Sequence, residues 1–343
     1  MKYDALLVVS FGGPEKNEDV IPFLENVLRG RTVPRERMLG VAAHYYRFNG
    51  RSPINDQNRE LIRALDAELA ENGPALRIYW GNRNWRPLLA DALRTMKNDG
   101  VRRALAFVTS AFSSYSSCRQ YRENIEQARL DAGESAPVVD KLRVFYNHPR
   151  FIYAWIERVR EALGEFPPGR LDTVELVFTA HSIPQAMAAQ CAYVRQLEEA
   201  CGLISAGLGG RAWKLVYQSR SGPPAQPWLE PSIHDYLKEI ARRGSRKDIL
   251  IVPVGFVSDH MEVVYDLDVE IHGLCRELGL NYVRPRTPGA HPEFVRMIRE
   301  LIMERMELDA PRRALGSMGP NHDICPADCC LPPARPQREG NQS

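Results

Sequence analysis

The sequence predicts an α/β protein built as two doubly wound halves with parallel sheets, and three observations carry that prediction. Short apolar runs alternate with longer stretches of helical period. The alternation occurs twice along the chain. At 343 residues the chain exceeds the size to which one hydrophobic core usually grows, so two domains are expected.

The first run, Ala5–Ser10, is too short for a secretory apolar core and leads straight into a Gly12-Gly13-Pro14 turn, so it reads as a first strand. Leu76–Trp80 and Ala104–Thr109 follow it, and this first set ends near residue 145. A second set starts near Leu171 with Val174–Thr179, Lys214–Gln218 and Ile249–Pro253. Between the runs lie amphipathic segments at Asn58–Glu71, Leu88–Lys97, Gln120–Ala132, Arg150–Glu165, Ile233–Arg242 and His260–Leu278, and a last helix follows Pro292. Strands this short and apolar, separated by helices, belong to parallel sheets buried on both faces. The resulting division is residues 1–148, residues 149–308 and an extension over 309–343. The extension is rich in Gly, Pro and Arg and has little to bury, so it should be disordered unless something pins it.

An apolar fraction of 44% and a charged fraction of 26% are those of a soluble globular protein. The net charge is +2 with acids and bases interleaved, which argues against a nucleic-acid binder and suits a small or apolar substrate. No apolar stretch approaches the roughly 20 residues that cross a bilayer. A cytoplasmic location is expected, and a peripheral membrane contact is compatible with it. The seven cysteines, an odd number without an export signal, do not suggest a disulfide framework. Cys118, Cys191, Cys201 and Cys275 are scattered, whereas Cys325, Cys329 and Cys330 crowd into the extension.

In open α/β sheets, ligands bind outside the carboxyl ends of the strands. Those ends read Ser10-Phe-Gly-Gly-Pro14, Gly81-Asn-Arg-Asn-Trp85 and Thr109-Ser-Ala-Phe-Ser-Ser-Tyr115 in the first half. In the second half they read Thr179-Ala-His-Ser-Ile-Pro184, Gln218-Ser-Arg-Ser-Gly-Pro223 and Pro253-Val-Gly-Phe-Val-Ser-Asp-His260. Aromatics, hydroxyls, Arg and His stand where plain turns would suffice, which points to one large cleft with aromatic walls. The spaced glycines of a dinucleotide turn are missing, which sets aside a nicotinamide or ATP enzyme.

His181 follows a strand, where an imidazole can serve as base or metal ligand; it can equally be a ring bonded to a neighbouring carbonyl. Glu262, Asp266 and Glu270 stand at i, i+4 and i+8, so a regular helix puts three carboxylates on one face. Such a ladder needs a cation, protons or bulk water. The other reading is a solvated acidic face with Asp259 as N-cap and Glu262 as its capping-box partner. If His181 faces Glu262, an imidazole and a carboxylate suit a transient ferrous ion, with the other acids relaying metal or protons.

Five motifs then stand in order: Ser10-Phe-Gly-Gly-Pro14, Arg51-Ser-Pro-Ile-Asn55, Ala180-His-Ser-Ile-Pro184, Gln218-Ser-Arg-Ser-Gly-Pro-Pro224 with Pro227-Trp-Leu-Glu-Pro231, and Phe256-Val-Ser-Asp-His-Met-Glu262. Over about residues 1–308 the chain resembles the ferrochelatase family. The resemblance implies two Rossmann-like domains of the class II chelatase kind around a porphyrin cleft, and insertion of ferrous iron in haem biosynthesis. It makes His181 and Glu262 the catalytic pair and places Asp266 and Glu270 with them on a metal-handling acidic ridge. Phe11, Arg31, Ser52, Arg83, Tyr115, Trp228, Phe256 and His260 become substrate-binding residues. Some members carry Tyr where this chain has Phe11, so a contact from that oxygen to the product iron should be absent here.

Cys325, Cys329 and Cys330 resemble the extension that binds a 2Fe-2S cluster in some members. Such a cluster takes four thiolates. The resemblance favours Cys118 as the internal one, with Cys191 or Cys201 as replacements; a zinc site or a metal-free reactive tail would use the same thiols. Phe23 to Arg31 and Ser113 to Cys118 look like the actinobacterial branch, similar to enzymes that metallate coproporphyrin III, with protoporphyrin IX as the second candidate. A chelatase for another metal and tetrapyrrole, or a tetrapyrrole- or cluster-binding sensor without turnover, would use the same features. Contact with a protein of the haem pathway is compatible with the resemblance, and the oligomeric state is not set by it.

Overall fold

The computed structural model describes residues 2–30, 33–223, 225–244, 247–307 and 309–332. It contains two four-stranded parallel sheets. The first comprises β1 (Ala5–Ser10), β2 (Arg77–Asn82), β3 (Arg103–Val108) and β4 (Val138–Lys141) in the order β2-β1-β3-β4. The second comprises β5 (Glu175–His181), β6 (Trp213–Gln218), β7 (Asp248–Val252) and β8 (Asn281–Val283) in the order β6-β5-β7-β8. The same order recurs, as the repeated alternation predicted. The six apolar runs are the six inner and flanking strands. The edge strands β4 and β8 fall outside them, because segments as short as VVDK and NYV, only partly covered, carry no apolar run.

The helices are α1 (Asn17–Val27), α2 (Arg35–Tyr46), α3 (Ile54–Asn72), α4 (Leu89–Asn98), α5 (Gln120–Ala132), α6 (Pro149–Leu163), α7 (Gln185–Ala188), α8 (Tyr193–Gly207), α9 (Ile233–Arg243), α10 (Met261–Val264), α11 (His272–Glu277) and α12 (Pro292–Met306). Residues alternate across a strand with a period of two, and β1 shows the consequence. Leu6 and Val8 join the main core, while Ala5, Leu7 and Val9 pack on the opposite face against α4 and α5. The main core is continuous between the two halves: Leu105 and Phe107 of β3 belong to the same apolar cluster as Phe178 of β5 and Val252 of β7. The last helix returns to the first half: α12 packs on α3 as well as on α6, and Phe294 meets Phe107, Phe145 and Phe151.

The extension is pinned as far as residue 332. Arg143 donates to the Arg313 carbonyl (2.7 Å), the Leu315 N–H to the Asn147 carbonyl (2.8 Å), and the Asn147 amide to the Gly319 carbonyl (2.9 Å). Glu199 accepts the N–H groups of Ser317 and Met318. The tail is thus held through its backbone, which composition cannot reveal. Arg143 also makes a fully buried two-bond pair with Glu304 of α12 (2.7 and 2.9 Å). Among the described residues, no helix is long and apolar enough to cross a membrane.

Candidate active site and cysteine centre

The predicted helix over His260–Leu278 is interrupted. It runs as α10, a π-helical stretch over Asp266–Ile271, then α11. The N–H groups of Val269 and Glu270 share the Tyr265 carbonyl (3.2 and 3.1 Å), the signature of an inserted residue. Such bulges recur at functional sites. Here it breaks the strict i, i+4, i+8 stacking expected of Glu262, Asp266 and Glu270. Asp266 is partly covered, whereas Glu270 is exposed. The capping-box reading is also corrected. His260, not Asp259, takes the N-cap position, with no side-chain cap bond. The Asp259 carboxylate instead accepts from Arg284 and Thr287, because those partners reach it from the segment after β8.

Close backbone approach brings the two predicted catalytic residues together. Gly255 donates to the Thr179 carbonyl (3.1 Å), and a Cβ there would stand 2.7 Å from Ala180 Cβ. Only glycine lets the segment leading to Glu262 lie this close to β5. His181 Nε2 then stands 3.5 Å from Glu262 Oε1, and His260 Nε2 stands 3.6 Å from Glu262 Oε2. His181 Nδ1 bonds the Ser182 carbonyl. A carbonyl only accepts, so Nδ1 carries the proton; Nε2 is left to take up a second proton, which it then donates toward Glu262. The carbonyl-bonded reading of His181 is thus observed, and it leaves Nε2 facing Glu262. Tyr193 donates to the His181 carbonyl (3.1 Å), and Gln218 to that of Glu262 (2.6 Å).

The charges of the site shift one another. Burial alone would lower the His181 pKa, but Glu262 outweighs it and the net shift is upward. Burial alone would raise Glu262, but the two imidazoles outweigh that and hold it at about 2. Burial raises Asp266 to about 7, aided by Glu262 and Glu270 and opposed by the Ser219 hydroxyl that donates to it. The site therefore pairs a firmly ionised carboxylate with a second one that exchanges its proton near neutrality.

Around this pair stand several of the predicted substrate residues. Arg83 lies over the rings of Phe11 (5.7 Å) and Tyr121 (4.5 Å) and donates to Asn124 (2.6 Å). Phe11 meets Phe23 edge-on at 6.2 Å. The Phe256 and His260 rings are 5.2 Å apart. Trp228 is buried against Gly222 and bridges Pro184 just after His181. Tyr115 donates to Glu123 (3.3 Å). Ser52 is buried under Gly13, its N–H donated to the Pro14 carbonyl (2.8 Å). Arg31 lies outside the described residues. Sequence reasoning missed Tyr45, partly buried within the fields of Glu262 and Asp266, and His44, stacked on Tyr265 at 3.7 Å. Both come from α2, and nothing in their local pattern marks them.

The tail cysteines meet the body at the π-helical turn Tyr115–Arg119 that precedes α5. Cys325 and Cys118 stand close enough to shift each other's pKa, and Cys329 Sγ lies 3.6 Å from both Cys330 Sγ and His322 Nε2. His322, Cys325 and Cys329 present donor atoms within 4.8 Å of one another. Arg119 donates to the carbonyls of Ala327 and Cys329, and Arg122 to that of Cys325, fixing the loop. The Cys118 thiol is lowered, first by Cys325 and then by Lys141. Cys191 stands within the fields of Cys118 and Cys329, while Cys201 is buried in the main core. An imidazole and two thiols that converge, beside the early-ionising Cys118, fit a soft metal centre.

The ferrochelatase family model matches residues 3–306. The chain belongs to the ferrochelatase family. A ferrochelatase of Rhodopirellula baltica is 54% identical over 341 residues, covering 99% of this chain and 97% of its own. The coproporphyrin III ferrochelatase of Nocardia farcinica is 47% identical, covering 99% of this chain and all of its own. That of Streptomyces coelicolor is 47% identical, covering 98% and 95%. Among solved structures, SirB from Bacillus subtilis with Fe3+ matches with a TM-score of 0.55 at 11% identity, over 90% of this chain and 100% of that one, a likeness of fold alone. As a ferrochelatase the chain is a lyase that inserts iron into a porphyrin for haem synthesis.

Proposed function

We propose that the porphyrin is coproporphyrin III, that His181 and Glu262 carry the chemistry, and that the cysteine centre holds a 2Fe-2S cluster. The observation that carries the reading is the His181–Glu262 pair at 3.5 Å with His260 on the other carboxylate oxygen. Iron insertion requires two pyrrole protons to leave and the ferrous ion to shed water. His181 Nε2, with its lone pair exposed by the Ser182 bond, accepts a pyrrole proton. Glu262 remains ionised throughout and holds the incoming cation, and Asp266 passes protons outward because it titrates near neutrality. Phe11, Trp228 and Phe256 support the macrocycle, and Arg83 faces a propionate. The named relatives from Nocardia and Streptomyces support coproporphyrin III. Anaerobic metallation of coproporphyrin III and protoporphyrin IX, followed by loss of porphyrin fluorescence, tests this. Faster turnover of protoporphyrin IX would overturn the substrate, and no turnover of either would sink the reading.

The pH profile gives a second test. His181 accepts a proton only when neutral, so the rate should rise with pH through an imidazole pKa above its ordinary value. Asp266 is among the charges that raise it, so Asp266→Asn should move this acid limb to lower pH. A limb that stays in place would belong to another group.

Cys118, Cys325, Cys329 and Cys330 would hold the cluster, which when bound supplies one-electron redox chemistry and ties the tail to α5. Thiolates of this kind persist in a reducing compartment, which supports a cytoplasmic location. Cys118→Ser and Cys329→Ser should each abolish the visible absorption of the purified protein, and Cys201→Ser should preserve it. Cluster loss on Cys201→Ser with retention on Cys118→Ser would reverse the assignment.

A further inference from the structure

Arg284 follows the edge strand β8 and stands outside every motif discussed above, yet its side chain is only 12% accessible. Its guanidinium spans two carboxylates. Nε and Nη2 donate to the two oxygens of Asp268 (both 2.6 Å), and Nη1 donates to Asp259 Oδ1 (2.6 Å). Asp259 immediately precedes His260, and Asp268 lies inside the π-helical turn that carries Asp266 and Glu270. The same Asp259 accepts from Thr287 Oγ1 (2.9 Å), and its N–H donates to Gln57 of α3 (2.8 Å).

We infer that Arg284 is a positioning residue for iron handling, fixing the segment of His260 and Glu262 relative to the π-helical turn of Asp266. One planar fork joins the loop before the helix to the helix's second turn, so the carboxylates of Glu262 and Asp266 cannot drift apart. The fork pairs both carboxylates and cuts their combined charge by one, which leaves Glu262, Asp266 and Glu270 as the carboxylates without an arginine partner that an incoming cation meets. A lysine can replace the charge but not the bidentate geometry. The inference rests on iron insertion at this site and deepens it.

The test compares wild-type protein with Arg284→Lys and Arg284→Met, both as full chains checked for folding by near-ultraviolet circular dichroism. Groups bonded directly to metal ligands typically matter about 10- to 100-fold, and Arg284 acts one residue further out, so the lower end of that range applies. We expect the KM for ferrous iron to rise about 10-fold in both variants, with the KM for porphyrin unchanged. Equilibrium binding of cobaltous ion to the porphyrin-free protein should weaken in parallel, and this arm does not depend on turnover. A purely structural role would lower thermal stability and kcat while leaving the metal KM and cobalt affinity at wild-type values, and would overturn the inference. An Arg284→Lys protein with wild-type metal affinity would overturn it too, since charge alone would then suffice. Absence of turnover in the wild type would sink the iron-insertion reading, while weaker cobalt binding in the variants would still uphold the role of Arg284.

Discussion

Replacing His181 with Ala is expected to slow iron insertion by about 10²- to 10⁴-fold while porphyrin still binds. Glu262 raises the basicity of His181 Nε2, whereas His260 has its pKa lowered, first by burial, and approaches the other carboxylate oxygen. Anaerobic single-turnover metallation separates the steps: porphyrin fluorescence quenching on binding should persist, and the metallation phase should nearly vanish. Loss of porphyrin affinity with an unchanged rate constant for metallation would make His181 a substrate clamp and not a base. Glu262→Gln should show the complementary pattern. It keeps the shape but removes the charge that two imidazoles stabilise, so the metal KM should rise together with the fall in rate.

The second large effect concerns stability. Arg143 and Glu304 are 1% and 2% accessible and are joined by two hydrogen bonds. Arg143→Met fills similar space but strands a buried carboxylate. The expected loss is about 3–5 kcal/mol, the cost of breaking such a pair by removing one partner. It should appear as a lower urea midpoint with an unchanged slope. The double variant Arg143→Met with Glu304→Leu should recover much of that loss, because no uncompensated charge remains. A double variant no more stable than the single one would mean that the bond from Arg143 to the Arg313 carbonyl, and the tail it pins, dominates the site.

The strand pattern was legible because burial on both faces forces continuous apolar runs: β1 and β7 are buried at every position. The strands β4 and β8 were not, since segments of four and three residues that are nowhere fully buried carry no apolar run. His181, Glu262, Arg83 and Phe11 could be picked out as candidates because each stands where a strand or its loop ends, and parallel sheets put ligands there. Asp259 was misread as a cap because a local pattern cannot show that Arg284, 25 residues on, holds its carboxylate. The π-helical turn was equally hidden: one inserted residue leaves the apolar period of the helix almost unchanged but moves Glu270 off the stack.

By itself the sequence determined the α/β class and the repeated parallel architecture, and it marked the strand ends as the place of the candidate site. These follow from periodicity and from short-range chemistry, which are local properties of the chain. Only the tertiary structure decided which groups meet. The pairing of His181 with Glu262 depends on a glycine that lets two strand ends touch, and the meeting of Cys118 with Cys325 depends on a tail held by backbone bonds. Contacts between residues far apart in sequence are set by packing and by the shared core, and neither leaves a local trace.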